Sequence, residues 1–132
     1  GPTRPVLYRR YCWHVPSRPD TAAMNAGAQR LLGENDFKSF ASAADSRTDS
    51  VRTIFRCDVT EARKDDGHWV YVEVEGDGFL YNMVRNIVGS LMEVGLGRWD
   101  PLRISRVLAA RDRTAAGPIA PPNGLCLMWI KY

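Results

Sequence analysis

The sequence predicts an α+β domain, a ferredoxin-like antiparallel sheet with helices packed on one face. Three observations predict it. Four segments carry the period-two or short continuous apolar pattern of strands, three carry the apolar stripe of helices, and they follow in the order strand, helix, strand, strand, helix, helix, strand. The 132 residues, 45% hydrophobic and 25% charged, suffice for one domain spanning 1–132 with a real core and leave no length for a second.

Tyr8 to Val15 alternates Tyr11, Trp13 and Val15 with Arg10, Cys12 and His14 between Pro5 and Pro16, the pattern of a strand. After Pro19, Asp20 or Thr21 caps a helix running to about Leu32, with Met24, Ala28, Leu31 and Leu32 on one face and Gly33 as its stop. Asn35 to Arg47 has no sustained period and reads as a loop pinned by Phe37 and Phe40. Val51 to Thr60 places Val51, Thr53, Phe55, Cys57 and Val59 on one side of a half-solvated strand. A charged turn over residues 62–67 leads into His68 to Glu75, whose Val70, Val72 and Val74 complete an antiparallel hairpin.

From Phe79 the period changes to that of a helix. Leu80, Met83, Val84, Ile87, Val88 and Leu91 make a wide stripe reaching Val94, and Gly95 and Gly97 end it. Asp100 and Pro101 open a shorter helix with Ile104, Val107 and Leu108 on one face, ending near Ala110. After a loop rich in Ala, Gly and Pro, Leu125 to Ile130 is a continuous apolar run suited to a central strand. The sheet face away from the helices is the expected place of function, with Trp13, Trp69 or Trp129 and arginines on it.

Several function classes drop out. No apolar run approaches the roughly 18 residues that span a bilayer, and no signal-peptide core stands at the start, so a soluble cytoplasmic protein without a membrane partner is expected. Cys12, Cys57 and Cys126 are far apart and sit in strand-like segments, which favours buried reduced thiols over zinc or disulfides. Gly1 and Pro2 have the form of a remnant left by removal of a tag. The 18 basic against 15 acidic residues permit an RNA partner without requiring one.

The segment GDGFLYNMVRNIVGSLMEVG, residues 76–95, carries the most information. On a helical wheel Arg85 falls about 130° from the centre of the apolar stripe, off the core face. Gly89 follows one turn later on the same flank and leaves room for a group to approach the guanidinium, whose planar fork suits a carboxylate or a phosphate. A solvated surface arginine fits the same pattern, and the residues alone leave both readings open.

FLYNMVRNIVG followed by SLMEVG resembles the signature of the TruA family of tRNA pseudouridine synthases. The resemblance continues through RRYCWHVP, LLGENDFKSF, VRTI, AARDRTAAGPIAPPNGL and the closing Tyr132, in order along nearly the whole chain. It implies the C-terminal half of a two-halved enzyme that usually works as a homodimer with a basic cleft. It also implies a substrate, tRNA, in which a uridine of the anticodon stem-loop is flipped out, its glycosidic bond cut and the base rejoined through carbon five. No metal and no organic cofactor are implied. By position, Arg85 matches the arginine that pairs with the catalytic aspartate, and Leu125 matches the apolar residue packed near the target base, though ordinary core packing explains Leu125 equally well. Gly124 beside it lets backbone and ligand come close. Phe79 and Leu80 precede the helix and read as core residues, with lining of the pocket as the alternative. The aspartate itself belongs to the other half. Arg47, Thr48 and Asp49 spell the tripeptide RTD that holds it in the family, but Ser50, Val51 and Arg52 follow in place of the family's continuation, so Asp49 reads as a turn residue.

For phosphate contact the candidates are Arg52, Arg56, Arg98, Arg103, Arg106, Arg111 and Arg113, with Arg9 and Arg10 among the wider set. A non-catalytic RNA-binding or dimerisation module with the same fold is the competing expectation, and a small-ligand domain a third.

Overall fold

The computed structural model of the chain describes residues 6–42 and 49–131, with side chains described as far as Gly124. Gly1, Pro2, Arg47, Thr48 and Tyr132, and the side chains of Leu125, Cys126 and Trp129, lie outside the described residues.

Five strands form one antiparallel sheet: β1 (Val6–Val15), β2 (Gly33–Asp36), β3 (Val51–Lys64), β4 (Gly67–Gly76) and β5 (Leu125–Lys131), in the spatial order β2-β3-β4-β1-β5. Without β2 this is the ferredoxin-like order, two hairpin-related strands beside the first and the last strand beyond it. The helices are α1 (Thr21–Ala28), α2 (Met83–Gly95) and α3 (Arg103–Ala110). Asp20 caps α1 through a carboxylate accepting from the Ala23 amide, and a 3-10 turn carries the chain on to Leu31.

One core joins sheet and helices. The sheet contributes Tyr11, Val15, Ile54, Cys57, Val59, Val70, Val72 and Val74, and the helical layer contributes Met24, Ala28, Leu31, Met83, Val84, Ile87, Val88, Leu91, Ile104 and Val107, all buried. Each of the larger aliphatic side chains of α2 contributes about 1.5–3 kcal/mol by leaving water.

Several expectations need correction. Gly33–Asp36 is a strand on the sheet edge, paired with Val51 to Ile54, where the sequence suggested a helix stop and a loop. Its residues, GEND, have no apolar alternation because little of the strand is covered. Leu32 consequently leaves the helical face and is 37% exposed. In β3 a bulge at Phe55 resets the phase: Thr53 exchanges hydrogen bonds with Asp77, Ile54 faces Gly76, and Arg56 faces Glu75. Ile54 is therefore buried, and Phe55 is 46% exposed. The charged segment from Ala62 continues the hairpin rather than turning, and α2 starts at Met83, after an irregular approach through Phe79 and Leu80.

The strand β5 lies at the end of the sheet, paired with β1, and is not central among the described residues. A continuous apolar run reports burial, not the number of paired neighbours. Trp13 shares its side of β1 with Tyr11 and Val15 and packs on the core, so it is not on the open face. Cys57 is a free buried thiol, but Cys12 is disulfide-bonded, contrary to the expectation of reduced thiols throughout.

The open face is occupied by its own charge network. Arg56 bonds Asp58, Glu73 and Glu75, Arg10 lies 4.3 Å over the Tyr71 ring, and His14 stacks on Trp69. The concave surface that bears on function lies elsewhere, where α2 begins.

Candidate functional site

The chain enters α2 through a tight approach. Phe79 and Leu80 turn inward and are buried, Tyr81 is 61% exposed, and Asn82 takes the left-handed conformation at φ 62°. An asparagine tolerates that region better than a branched residue, and its carbonyl then accepts the first helical bond from the Asn86 amide at 2.9 Å. One turn on, Arg85 is half-buried on the flank of the helix. Its Nε donates to the Ala120 carbonyl at 3.0 Å and its Nη1 to Asn82 Oδ1 at 3.2 Å. Two donors hold the guanidinium in place, and the remaining N–H groups are left for another acceptor.

That guanidinium stands in the wall of a hollow of about 470 Å³, together with Phe79, Leu80, Tyr81, Asn82, Val84, Pro122 and Arg9. Arg85 lies on the flank of α2, off its core face, as its position on the helical wheel indicated. The role of Gly89 differs from expectation. A Cβ there would lie 1.7 Å from the Pro118 carbonyl oxygen, so the space beside the helix is filled by the chain's own backbone and not by a ligand.

A strap formed by residues 117–121 runs along α2 at this point. The Gly117 amide donates to Ser90 Oγ at 2.9 Å, the Pro118 carbonyl sits against Gly89, and the Ala120 amide donates to the Arg85 carbonyl at 3.1 Å. Tyr11, from β1, donates its hydroxyl proton to the Pro121 carbonyl and closes the strap against the sheet. Burial pushes the Tyr11 phenol up to about 12, with the Arg85 charge opposing, so the hydroxyl keeps the proton it donates at neutral pH. The AAGPIAPPNG segment thus positions Arg85 from both main chain and side chain.

Leu125 opens β5 opposite Tyr11, so its backbone stands beside the strand that anchors the strap. Gly124, just before it, allows a close approach, but by the chain itself: an added Cβ would lie 2.3 Å from Tyr11 Cζ and 2.6 Å from the Cys12 carbonyl oxygen.

The electrostatics of the hollow are one-sided. Arg9 and Arg85 line it, and among the described residues no acidic one does. Arg9 lies with its guanidinium 4.9 Å from the Phe79 ring centre, its Nε buried without a hydrogen-bond partner, and burial alone draws its pKa down. Such a site can hold an anion but has no general base of its own among the lining residues. Arg9 entered the sequence reading only as one of many arginines. Its signal was available, because it shares the apolar side of β1 with Tyr11, Trp13 and Val15.

The other arginines are scattered. Arg52 donates to the Asp49 and Val51 carbonyls near the bulge. Arg56 is engaged by three carboxylates on the open sheet face. Arg98 pairs with Glu93, Arg103 stacks on Trp99, Arg111 lies 3.8 Å from Asp36, and Arg113 donates to the Gly117 carbonyl. Arg103 and Arg106 border a shallow hollow by α3, separate from that of Arg85. Asp49 is a turn residue, 79% exposed, whose carboxylate accepts the Val51 amide at 3.0 Å. Among the described residues no group of three or more His, Cys, Asp or Glu is placed to hold a metal ion, and no helix is long and apolar enough to cross a membrane.

Comparison with known proteins places this geometry. The chain is 46% identical over 129 residues to tRNA pseudouridine synthase A of Acidiphilium cryptum (strain JF-5), covering 98% of the chain and 49% of that protein. It is 47% identical over 130 residues to the protein of the same name from Geobacillus kaustophilus (strain HTA426), covering 98% and 48%. With that of Pseudothermotoga lettingae it shares 43% over 127 residues, covering 96% and 51%. The chain spans about half the length of the curated relatives it matches. A family model described as tRNA pseudouridine synthase matches residues 28–132, and with it the chain belongs to the tRNA pseudouridine synthase family.

Proposed function

We propose that this chain is the C-terminal half of a tRNA pseudouridine synthase, and that Arg85 holds the catalytic aspartate brought to the hollow by the other half. The observation that carries the reading is a half-buried guanidinium, fixed by Ala120 and Asn82, in a concave wall with no acidic lining residue among the described residues. A carboxylate arriving there loses water and would tend to take up a proton, and the fixed cation keeps it ionised and aimed. The uridine must leave its stack to reach it. In the isomerisation the bond from ribose C1′ to N1 breaks, a bond from C1′ to C5 forms, N1 takes a proton and the C5 hydrogen leaves as a proton. By its position in the sequence Leu125 is the candidate apolar neighbour of the flipped base.

The same reading makes the full protein a cytoplasmic homodimer acting on the anticodon stem-loop of tRNA, with no metal or organic cofactor. Arg52, Arg56, Arg98, Arg103, Arg106, Arg111 and Arg113 are then the candidates for neutralising phosphates.

The test is release of tritium from C5 of uridine in tRNA by the full-length protein. Arg85→Ala should reduce turnover by about a hundredfold or more with the fold retained, as removal of one partner of a buried ion pair does. Undiminished release from Arg85→Ala would favour a non-catalytic RNA-binding or dimerisation module instead.

A further inference from the structure

We propose that Arg9 is the seat of a phosphodiester group of the RNA strand that enters the hollow, distinct in role from Arg85. The inference rests on the reading of the hollow as the uridine-isomerising site and deepens it.

Two neighbouring arginines of β1 make the contrast. Arg10 points to the open sheet face, over Tyr71 and 3.9 Å from Glu73. Arg9 points to the helical side, into the wall of the hollow, against the Phe79 ring. Its Nε is buried and without a hydrogen-bond partner, and no carboxylate reaches it among the described residues. An arginine in that position keeps its charge, so the unpaired donor is a standing cost unless an anion arrives.

Charge counting identifies the anion. Arg9 and Arg85 contribute two positive charges to the lining, and among the described residues no lining residue is acidic. A single aspartate from the other half offsets one of them, and Arg85, already fixed by the strap at the helix flank, is the one held for it. The second cation needs a second anion, and an RNA strand carries one with every nucleotide. A guanidinium held over an aromatic ring, as Arg9 is over Phe79, still carries donors whose spacing fits two phosphate oxygens. Such a contact fixes the register of the strand without reading its sequence.

The experiment measures tRNA affinity of the full-length protein against salt concentration for the parent, Arg9→Gln and Arg9→Lys. One lost phosphate contact should weaken binding by about tenfold and lower the slope of log K against log salt by about 0.7–1 in Arg9→Gln. Arg9→Lys, which keeps the charge but not the fork, should retain the slope with weaker binding. An unchanged slope in Arg9→Gln would overturn the proposal, and so would a fall in kcat at unaltered affinity, which would assign Arg9 to the aspartate. If Arg9→Gln melts early, Arg9→Lys decides: parental affinity and slope would make Arg9 a structural cation and overturn the seat. Tritium release by the parent protein is followed alongside. Its absence would overturn the reaction reading, whereas normal release with an unchanged slope overturns only the phosphate seat.

Discussion

Replacing Gly89 with alanine sets two physical effects against each other. In an exposed helix the change adds about 1 kcal/mol of stability, because glycine loses more backbone freedom on folding. Here the new Cβ would stand 1.7 Å from the Pro118 carbonyl oxygen, 2.9 Å from its carbon and 3.2 Å from the Ala120 nitrogen. A carbon and a carbonyl oxygen rest no closer than about 3.3 Å, so the strap must retreat by roughly 1.6 Å. Three hydrogen bonds cross that gap, Gly117 to Ser90 and the two between Ala120 and Arg85, and the retreat takes them out of range. At about 1 kcal/mol each the loss approaches ~3 kcal/mol, leaving a net destabilisation of ~2 kcal/mol. Thermal denaturation of full-length Gly89→Ala should show a midpoint lower by ~4–8 °C. Turnover should fall further than stability alone requires, because Arg85 loses its Ala120 acceptor. A midpoint at or above that of the parent would refute the account of the strap.

Tyr11→Phe removes the proton donated to the Pro121 carbonyl and keeps the ring, so stability should drop by about 1 kcal/mol while turnover falls severalfold; full activity would mean the strap does not depend on this anchor. Asn86 is buried and its amide donates to the Phe40 carbonyl at 2.7 Å, so Asn86→Ala should lose about 2 kcal/mol in chemical denaturation, and a loss below ~0.5 kcal/mol would contradict the need for that donor. Burial raises the Cys57 thiol from 9.0 and the Tyr11 phenol from 10.0, each to about 12. Their neutral forms are favoured in the folded state, so this contribution is fully present below pH 9 and disappears as pH climbs through about 12. The denaturation midpoint should decline across that window, and a flat profile would speak against their burial.

The strand and helix pattern was legible because each element carries its own evidence. The valines of β4 alternate, the stripe of α2 has helical period, and Asp20 stands where α1 begins, whereas α3 opens at Arg103 with Leu102 at its cap rather than at Asp100 and Pro101. Arg85 was legible for the same reason, since an arginine outside an apolar stripe is a local fact about one helix. The edge strand Gly33–Asp36 was not, because a strand covered on little of its surface has no alternation to display. The bulge at Phe55 was also hidden: it goes with Thr53 bonding Asp77, just past the end of β4 and more than twenty positions away.

What the sequence by itself determined is the order of the three helices and the four longer strands, the core faces of β4 and α2, and the guanidinium standing off the main helix. These depend on residues within a few positions of one another. Only the tertiary structure decided that Gly89 receives the Pro118 carbonyl, that Tyr11 anchors the strap, and that Arg9 shares a hollow with Arg85. Those contacts join segments far apart in the chain, and no local periodicity records which backbone will meet a missing side chain or which buried donor will be left without an acceptor.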